Sequence, residues 1–177
     1  PASASIHPAK SAQAYPRPPQ AKVIRDLISL AQMMQDHVIH FYHLQALDWV
    51  NVVNAAKADP AKAAALGAQL SDWPLNGVGA MKQVKEQVAR LLDSGQYSIF
   101  TNGYWTHPAY TLPPEADLLA LAHYLQALDW QREMIKVHTI FGGKNPHPNY
   151  LAGGMASAIN MDNQWTINQV RLDMLQD

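Results

Sequence analysis

From Val23 to Val53 the apolar residues Val23, Ile24, Leu27, Leu30, Ala31, Met34, Val38, Phe41, Leu44, Leu47, Val50 and Val53 recur at spacings of three and four. That period belongs to a helix burying one broad face, and it predicts a single long helix over about Gln20–Ala58. At a rise of ~1.5 Å per residue such a helix would be ~55–60 Å long, whereas a compact chain of this length is only ~40 Å across. The expectation is that the helix belongs to something larger.

A second long helix is predicted downstream. Pro113-Pro114-Glu115 is a helix-start signal, with proline tolerated in the first turn and an acid near the positive end of the helix dipole, and the helical period then runs to about Phe141. Between the two, Asp59-Pro60 interrupts the chain. Ala61–Leu70 reads as a short helix, Ser71-Asp-Trp-Pro74 with Gly77 and Gly79 as a connection, and Met81–Asp93 as a third helix ended by Ser94-Gly95. Gln96–Leu112 reads as a long loop with aromatic anchors. Beyond Gly154 the residues predict a short strand over Ala156–Met161, a turn at Asp162-Asn163-Gln164, and a helix from about Ile167. Residues 1–20, rich in Ala, Ser and Pro, read as an irregular arm because Pro16, Pro18 and Pro19 restrict it to extended backbone. The fold class is therefore mainly all-α: one helical domain over 21–177, with two long antiparallel helices of a bundle, shorter helices, long loops and a short strand or hairpin near the C-terminus.

Composition narrows the function classes. The 177 residues suffice for one domain with a sizeable core, and 48% are apolar, as in ordinary folded chains. Only 15% are charged, below the ~25% of a typical domain, which favours a chain buried in an assembly. A net charge of -1 without a basic run argues against nucleic acid, and no apolar stretch approaches the ~18 residues of a membrane span. No charged segment followed by an apolar one opens the chain as a secretory leader would. With no cysteine, the chain offers neither disulfides nor thiolate metal ligands, and the redox compartment stays open.

Several motifs carry a functional and an ordinary reading. Leu44-Gln-Ala-Leu-Asp-Trp49 recurs as Leu125-Gln-Ala-Leu-Asp-Trp130, once in each long helix, and is read as shared packing chemistry rather than duplication. His37, His40 and His43 drift around a helix instead of converging. Adjacent pairs, or Asp36 with His40, could share a ligand, but the ordinary reading is that they satisfy hydrogen bonds within an assembly. Asp129, Glu133 and His138 share a helix without catalytic spacing and are assigned to its solvated or interfacial face. Lys144-Asn-Pro-His-Pro148 holds a cation, an amide and an imidazole between fixed proline torsions after Gly142-Gly143. It is either a helix stop followed by tight turns or a stiff loop placing side chains against a partner or cofactor. No nucleophile elbow, phosphate-binding loop, dinucleotide fingerprint or zinc pattern occurs.

Two dense blocks carry a family likeness: Asp36-His-Val-Ile-His-Phe-Tyr-His-Leu-Gln-Ala-Leu-Asp-Trp-Val50, and Phe141-Gly-Gly-Lys-Asn-Pro-His-Pro-Asn-Tyr150 followed by Leu151-Ala-Gly-Gly154. With Asn102-Gly-Tyr-Trp105, His107-Pro-Ala109, Leu112-Pro-Pro-Glu115 and Ala122-His-Tyr-Leu125, they resemble the middle of the large subunit of nickel-iron hydrogenases, from about Ala21 to Leu175. The resemblance implies a mainly helical subunit packed against an iron-sulfur small subunit. It also implies heterolytic cleavage or formation of H2 at a Ni-Fe(CN)2(CO) centre, which the family holds with four cysteine thiolates in two Cys-x-x-Cys pairs.

Carried over residue by residue, Asp36 resembles a carboxylate above the metals that tunes proton handling and orients its neighbours. Lys144, Asn145 and His147 resemble the loop beside the small subunit. Ser3-Ala-Ser-Ile-His7 resembles the run after the first cysteine pair, which puts Ser3 at the place of a thiolate and makes His7 a candidate catalytic residue. Gln35 and Gln45 stand where the family often has histidine, Met155-Ala-Ser157 replaces a run with Pro-Cys, and the second pair would fall beyond Asp177. The chain is expected to bind no cofactor itself and to be inactive in isolation, with a periplasmic or partner-mediated membrane location favoured. Two other readings stay open: a metal-free helical scaffold or interaction module, and a His/Asp metal-binding bundle.

Overall fold

The computed structural model describes residues 19–97, 100, 108, 110–148, 151–152, 155–156, 164 and 168–176. The described chain is mainly helical. Its helices are α1 (Pro19–Ile39), α2 (Val52–Ala55), α3 (Pro60–Leu70), α4 (Val78–Asp93), α5 (Pro114–Gly142) and α6 (Gln169–Gln176). A two-residue antiparallel pairing sets Leu151 and Ala152 (β1) against Ala156 and Met155 (β2). The strand expected over Ala156–Met161 lies, beyond Ala156, outside the described residues. So does the irregular arm up to Pro18. Two compact units form, one from residues 1–37 and 130–177, the other from 38–129.

The single helix expected over Gln20–Ala58 is corrected. After Ile39 the chain passes through a π-helical segment, His40–Gln45, and a 3-10 turn, Ala46–Asp48, and then breaks before α2. A π turn admits an extra residue, which rotates the side chains that follow by about 100° relative to an unbroken α-helix. Phe41 and Leu44, assigned by their spacing to the buried face, are exposed at 64% and 65%, as is the stripe Val23, Leu27, Leu30 and Met34 that precedes the π turn. The break itself is made by Asn51, whose extended backbone and side-chain oxygen cap α2 by accepting the Asn54 amide at 2.9 Å. At ~1.5 Å per residue the 21 residues of α1 span only about 31 Å, so helix length no longer argues for a larger body. The two Leu-Gln-Ala-Leu-Asp-Trp copies also part company: the first lies in the π and 3-10 turns, the second within α5.

In the 38–129 unit, α2, α3, α4 and the first half of α5 bury Val52, Ala55, Ala63, Met81, Val84, Val88, Leu118 and Ala122 together. Asp59 caps α3, accepting the Ala61 amide at 2.8 Å, and Pro60 fills the first turn, where its missing N–H costs nothing. Alanines on the inner face of α3 leave room for close packing, and Gly67 needs more room still. A Cβ there would stand 2.9 Å from Asn76 Cγ and 3.1 Å from Leu119 Cδ1. Gly67→Ala is accordingly expected to destabilise this unit by about 1–3 kcal/mol, the usual range for overpacking. For a chain of this size that is a melting temperature lower by roughly 5 °C, measurable by circular dichroism. An unchanged melt would show that Asn76 yields freely.

In the other unit Ile24 and Ile28 of α1 pack with Phe141, Val137 and Ile140 of α5. The adjoining stripe of α1, about 100° around the helix, is uncovered in this chain: Val23, Leu27, Leu30 and Met34 are 57%, 40%, 51% and 52% exposed.

Candidate functional site

The loop that leaves α5 is the candidate site. Its backbone turns sharply, with Gly143 at φ 78°, a cis bond between Asn145 and Pro146, and His147 at φ 60°. Gly143 takes the left-handed conformation that ends helices, and its amide still reaches the Thr139 carbonyl at 3.0 Å. His147 is a non-glycine residue in the same region, a conformation kept only where the surroundings enforce it. Lys144 and His147 are exposed.

Asn145 is tied inward. Its carboxamide nitrogen lies 2.6 Å from Nδ1 of His138, whose Nε2 lies 3.2 Å from the Ile28 carbonyl. His138 is fully buried within this chain, which corrects its assignment to a solvated or interfacial face. Its position between the apolar Val137 and Phe141 was the available signal, outweighed by the charged neighbours Asp129 and Glu133.

Asp36, in the last turn of α1, is exposed and accepts a hydrogen bond from Gln32 Nε2 at 2.7 Å, while Gln35 beside it is buried. His37 and His40 are exposed. His43 makes an edge-on ring contact with Tyr124 and has Nε2 3.3 Å from that residue's carbonyl oxygen, as a hydrogen-bonding histidine would. Ser3 and His7 lie outside the described residues, as do Asn102–His107.

Sequence reasoning missed two buried polar nodes in the 38–129 unit. Asp117, 1% exposed, accepts from the Asn51 amide at 2.9 Å and from Asn54 Nδ2 at 2.8 Å, so one carboxylate holds α2 to α5. Burial pushes its carboxyl above the ordinary value, against the lowering effect of those two donors. Asn76, 5% exposed, donates through Nδ2 to the Gly67 carbonyl at 3.2 Å and to Ser71 Oγ at 3.3 Å. Its Oδ1 is thus the acceptor for His123 Nε2 at 2.7 Å, which requires the Nε2–H form of that ring. Gln126 reinforces the node, accepting from Trp73 Nε1 at 2.7 Å.

Burial lowers the His123 pKa below 6.5. The folded chain then holds fewer protons than the unfolded one between that lowered value and 6.5, so stability rises with pH across this interval and is lost as pH falls through it. Asp117 acts in the opposite sense: its contribution is fully present below 3.8 and lost as pH rises through its raised folded value. We expect the melting temperature to fall as the pH drops below 6.5, and to fall less in His123→Gln. Equal slopes in the two proteins would remove His123 as the cause.

These nodes are structural. Among the described residues no three His, Asp or Glu side chains converge as a metal-ligand set, and no helix is long and apolar enough to cross a membrane.

Comparison with known proteins places the chain. A family model described as nickel-dependent hydrogenase matches residues 2–177, and the chain belongs to that family. Within it, the chain corresponds to a segment of the large subunit. It is 48% identical over 171 residues to the uptake hydrogenase large subunit of Rhizobium leguminosarum bv. viciae, covering 97% of this chain and 29% of that protein. It is 44% identical over 174 residues to the hydrogenase-1 large chain of Escherichia coli (strain K12), covering 98% of this chain and 29% of the relative. Against the uptake hydrogenase large subunit of Afipia carboxidovorans it is 50% identical over 162 residues, 91% of this chain and 27% of the relative. The chain thus spans less than a third of these proteins' length.

The nickel-iron centre of the intact family does not fit the donors present. A soft thiolate-bound centre needs cysteine, and this chain has none. Serine, hard and poorly ionised, is no substitute.

Proposed function

We propose that this chain builds part of the helical body of a hydrogenase large subunit whose whole protein oxidises H2 or reduces protons and passes electrons to an iron-sulfur small subunit. The observation that carries this reading is the 48% identity running through 97% of the chain. The uncovered stripe on α1 supports it, because a surface of four large apolar side chains at helical spacing is normally buried by a neighbour. In this reading Asp36, at the exposed end of α1, orients groups and tunes protons above the metals. Lys144, Asn145 and His147 shape the contact with the small subunit. Ser3 occupies the place of a thiolate, with His7 in the same run. The whole protein is periplasmic, or bound to a membrane through a partner.

The isolated chain is inactive in this reading, since it brings no thiolate to the centre. Nickel analysis and H2-dependent dye reduction test that directly: neither stoichiometric nickel nor turnover is expected, and either would overturn the inactivity. The alternative of a self-sufficient helical module is favoured by the internal cores of the two units. Sedimentation and calorimetry separate the two. A monomer with a cooperative melt supports the module, whereas self-association relieved by the rest of the subunit supports a segment of an assembly.

A further inference from the structure

We propose that His138 is a positioning residue that sets the shape of the loop Gly143–His147 before a partner arrives, and thereby controls how tightly the small subunit docks. The inference rests on the reading that this loop meets the small subunit, and deepens it.

A buried imidazole must satisfy both ring nitrogens. The Ile28 carbonyl can only accept, so Nε2 carries the hydrogen and donates to it at 3.2 Å. Nδ1 is then a bare lone pair, and Asn145 must turn its Nδ2 toward it, at 2.6 Å. The reverse orientation of the amide would demand a hydrogen on Nδ1 and leave Nε2 facing a carbonyl lone pair, unless the ring took a charge in an apolar cluster. One neutral ring thus fixes its own tautomer and the direction of the Asn145 amide, and joins the α1 backbone to a loop side chain.

That tie falls between the two left-handed residues, Gly143 and His147. The helix end does not need it, since the Gly143 amide already reaches Thr139. What it adds is a fixed point in the middle of a loop whose Lys144 and His147 remain exposed. A loop already held in one shape loses less conformational freedom on binding, so the effect belongs in affinity more than in the melting of the free chain.

The test uses the full-length large subunit with its iron-sulfur small subunit. Asn145→Ala removes the amide from an exposed loop and leaves the helices intact. It is expected to weaken association about tenfold, the factor set by one lost positioning hydrogen bond, and to lower Tm by only a few degrees, as the buried Nδ1 loses its donor. Hydrogen exchange should quicken at the amides of Lys144, Asn145 and His147 and stay unaltered within α5. His138→Phe, of similar size without the nitrogens, should repeat the loss wherever it folds, and Asn145→Ala decides where it does not. Unchanged affinity in Asn145→Ala overturns the inference. Lys144→Ala shows whether the underlying reading falls with it: weaker association with Lys144→Ala alone leaves the loop at the interface and removes only the positioning role. No effect from either variant removes both.

Discussion

Leu118→Ala will lower the unfolding free energy by about 3–4 kcal/mol, within the span measured for buried leucines cut back to alanine. Leu118 is fully buried, on the side of α5 that meets α4 and α2, among Met81, Val84, Val88 and Ala55. The loss has two parts: the transfer of the leucine's carbons out of water, and the void left where neighbours cannot follow. Rigid helices on several sides make collapse of that void costly. The expected fall in melting temperature is roughly 10 °C. Leu27→Ala on α1 provides the contrast, because Leu27 is already 40% exposed in this chain and should move the melt little. If the two variants melted alike, Leu118 would not belong to a consolidated core.

Asn76→Ala ranks next, at about 2–3 kcal/mol, although it removes no large apolar group. The 5%-exposed amide joins the end of α3, the turn at Ser71 and the imidazole of His123 through contacts of 3.2, 3.3 and 2.7 Å. The Gly67 carbonyl keeps a partner in the Ser71 amide, at 3.0 Å, so the heaviest loss falls on His123, whose half-buried N–H would be left facing a methyl group. Asn76→Asp should fare no better at neutral pH, since a carboxylate cannot donate to Gly67 or Ser71. Thermal denaturation of both variants checks this. A loss below about 1 kcal/mol would mean that water replaces the amide without penalty.

Much of the helical plan was legible from local chemistry. Pro114 and the acids after it start α5, Gly142-Gly143 stops it, and Asp59-Pro60 opens α3, because caps and stops are decided by residues within a turn of one another. The loop Lys144–His147 was likewise visible, as two prolines and two glycines flanking polar side chains. What the spacing concealed was the break after Ile39. A π turn preserves the look of an apolar helix while rotating its face, and the cap that follows is held by Asp117, 66 positions away.

The sequence by itself determined the helical class, the ends of the later helices, the absence of thiolates and, through its motif blocks, the hydrogenase family. Only the tertiary structure decided that His138 is interior, that its free nitrogen points at Asn145, and that Asn76 and Asp117 stitch helices together. The physical reason is range: a periodicity reports which face of a helix is apolar, whereas the partner of a buried polar atom is chosen by whichever distant backbone or amide the fold brings within 3 Å or so.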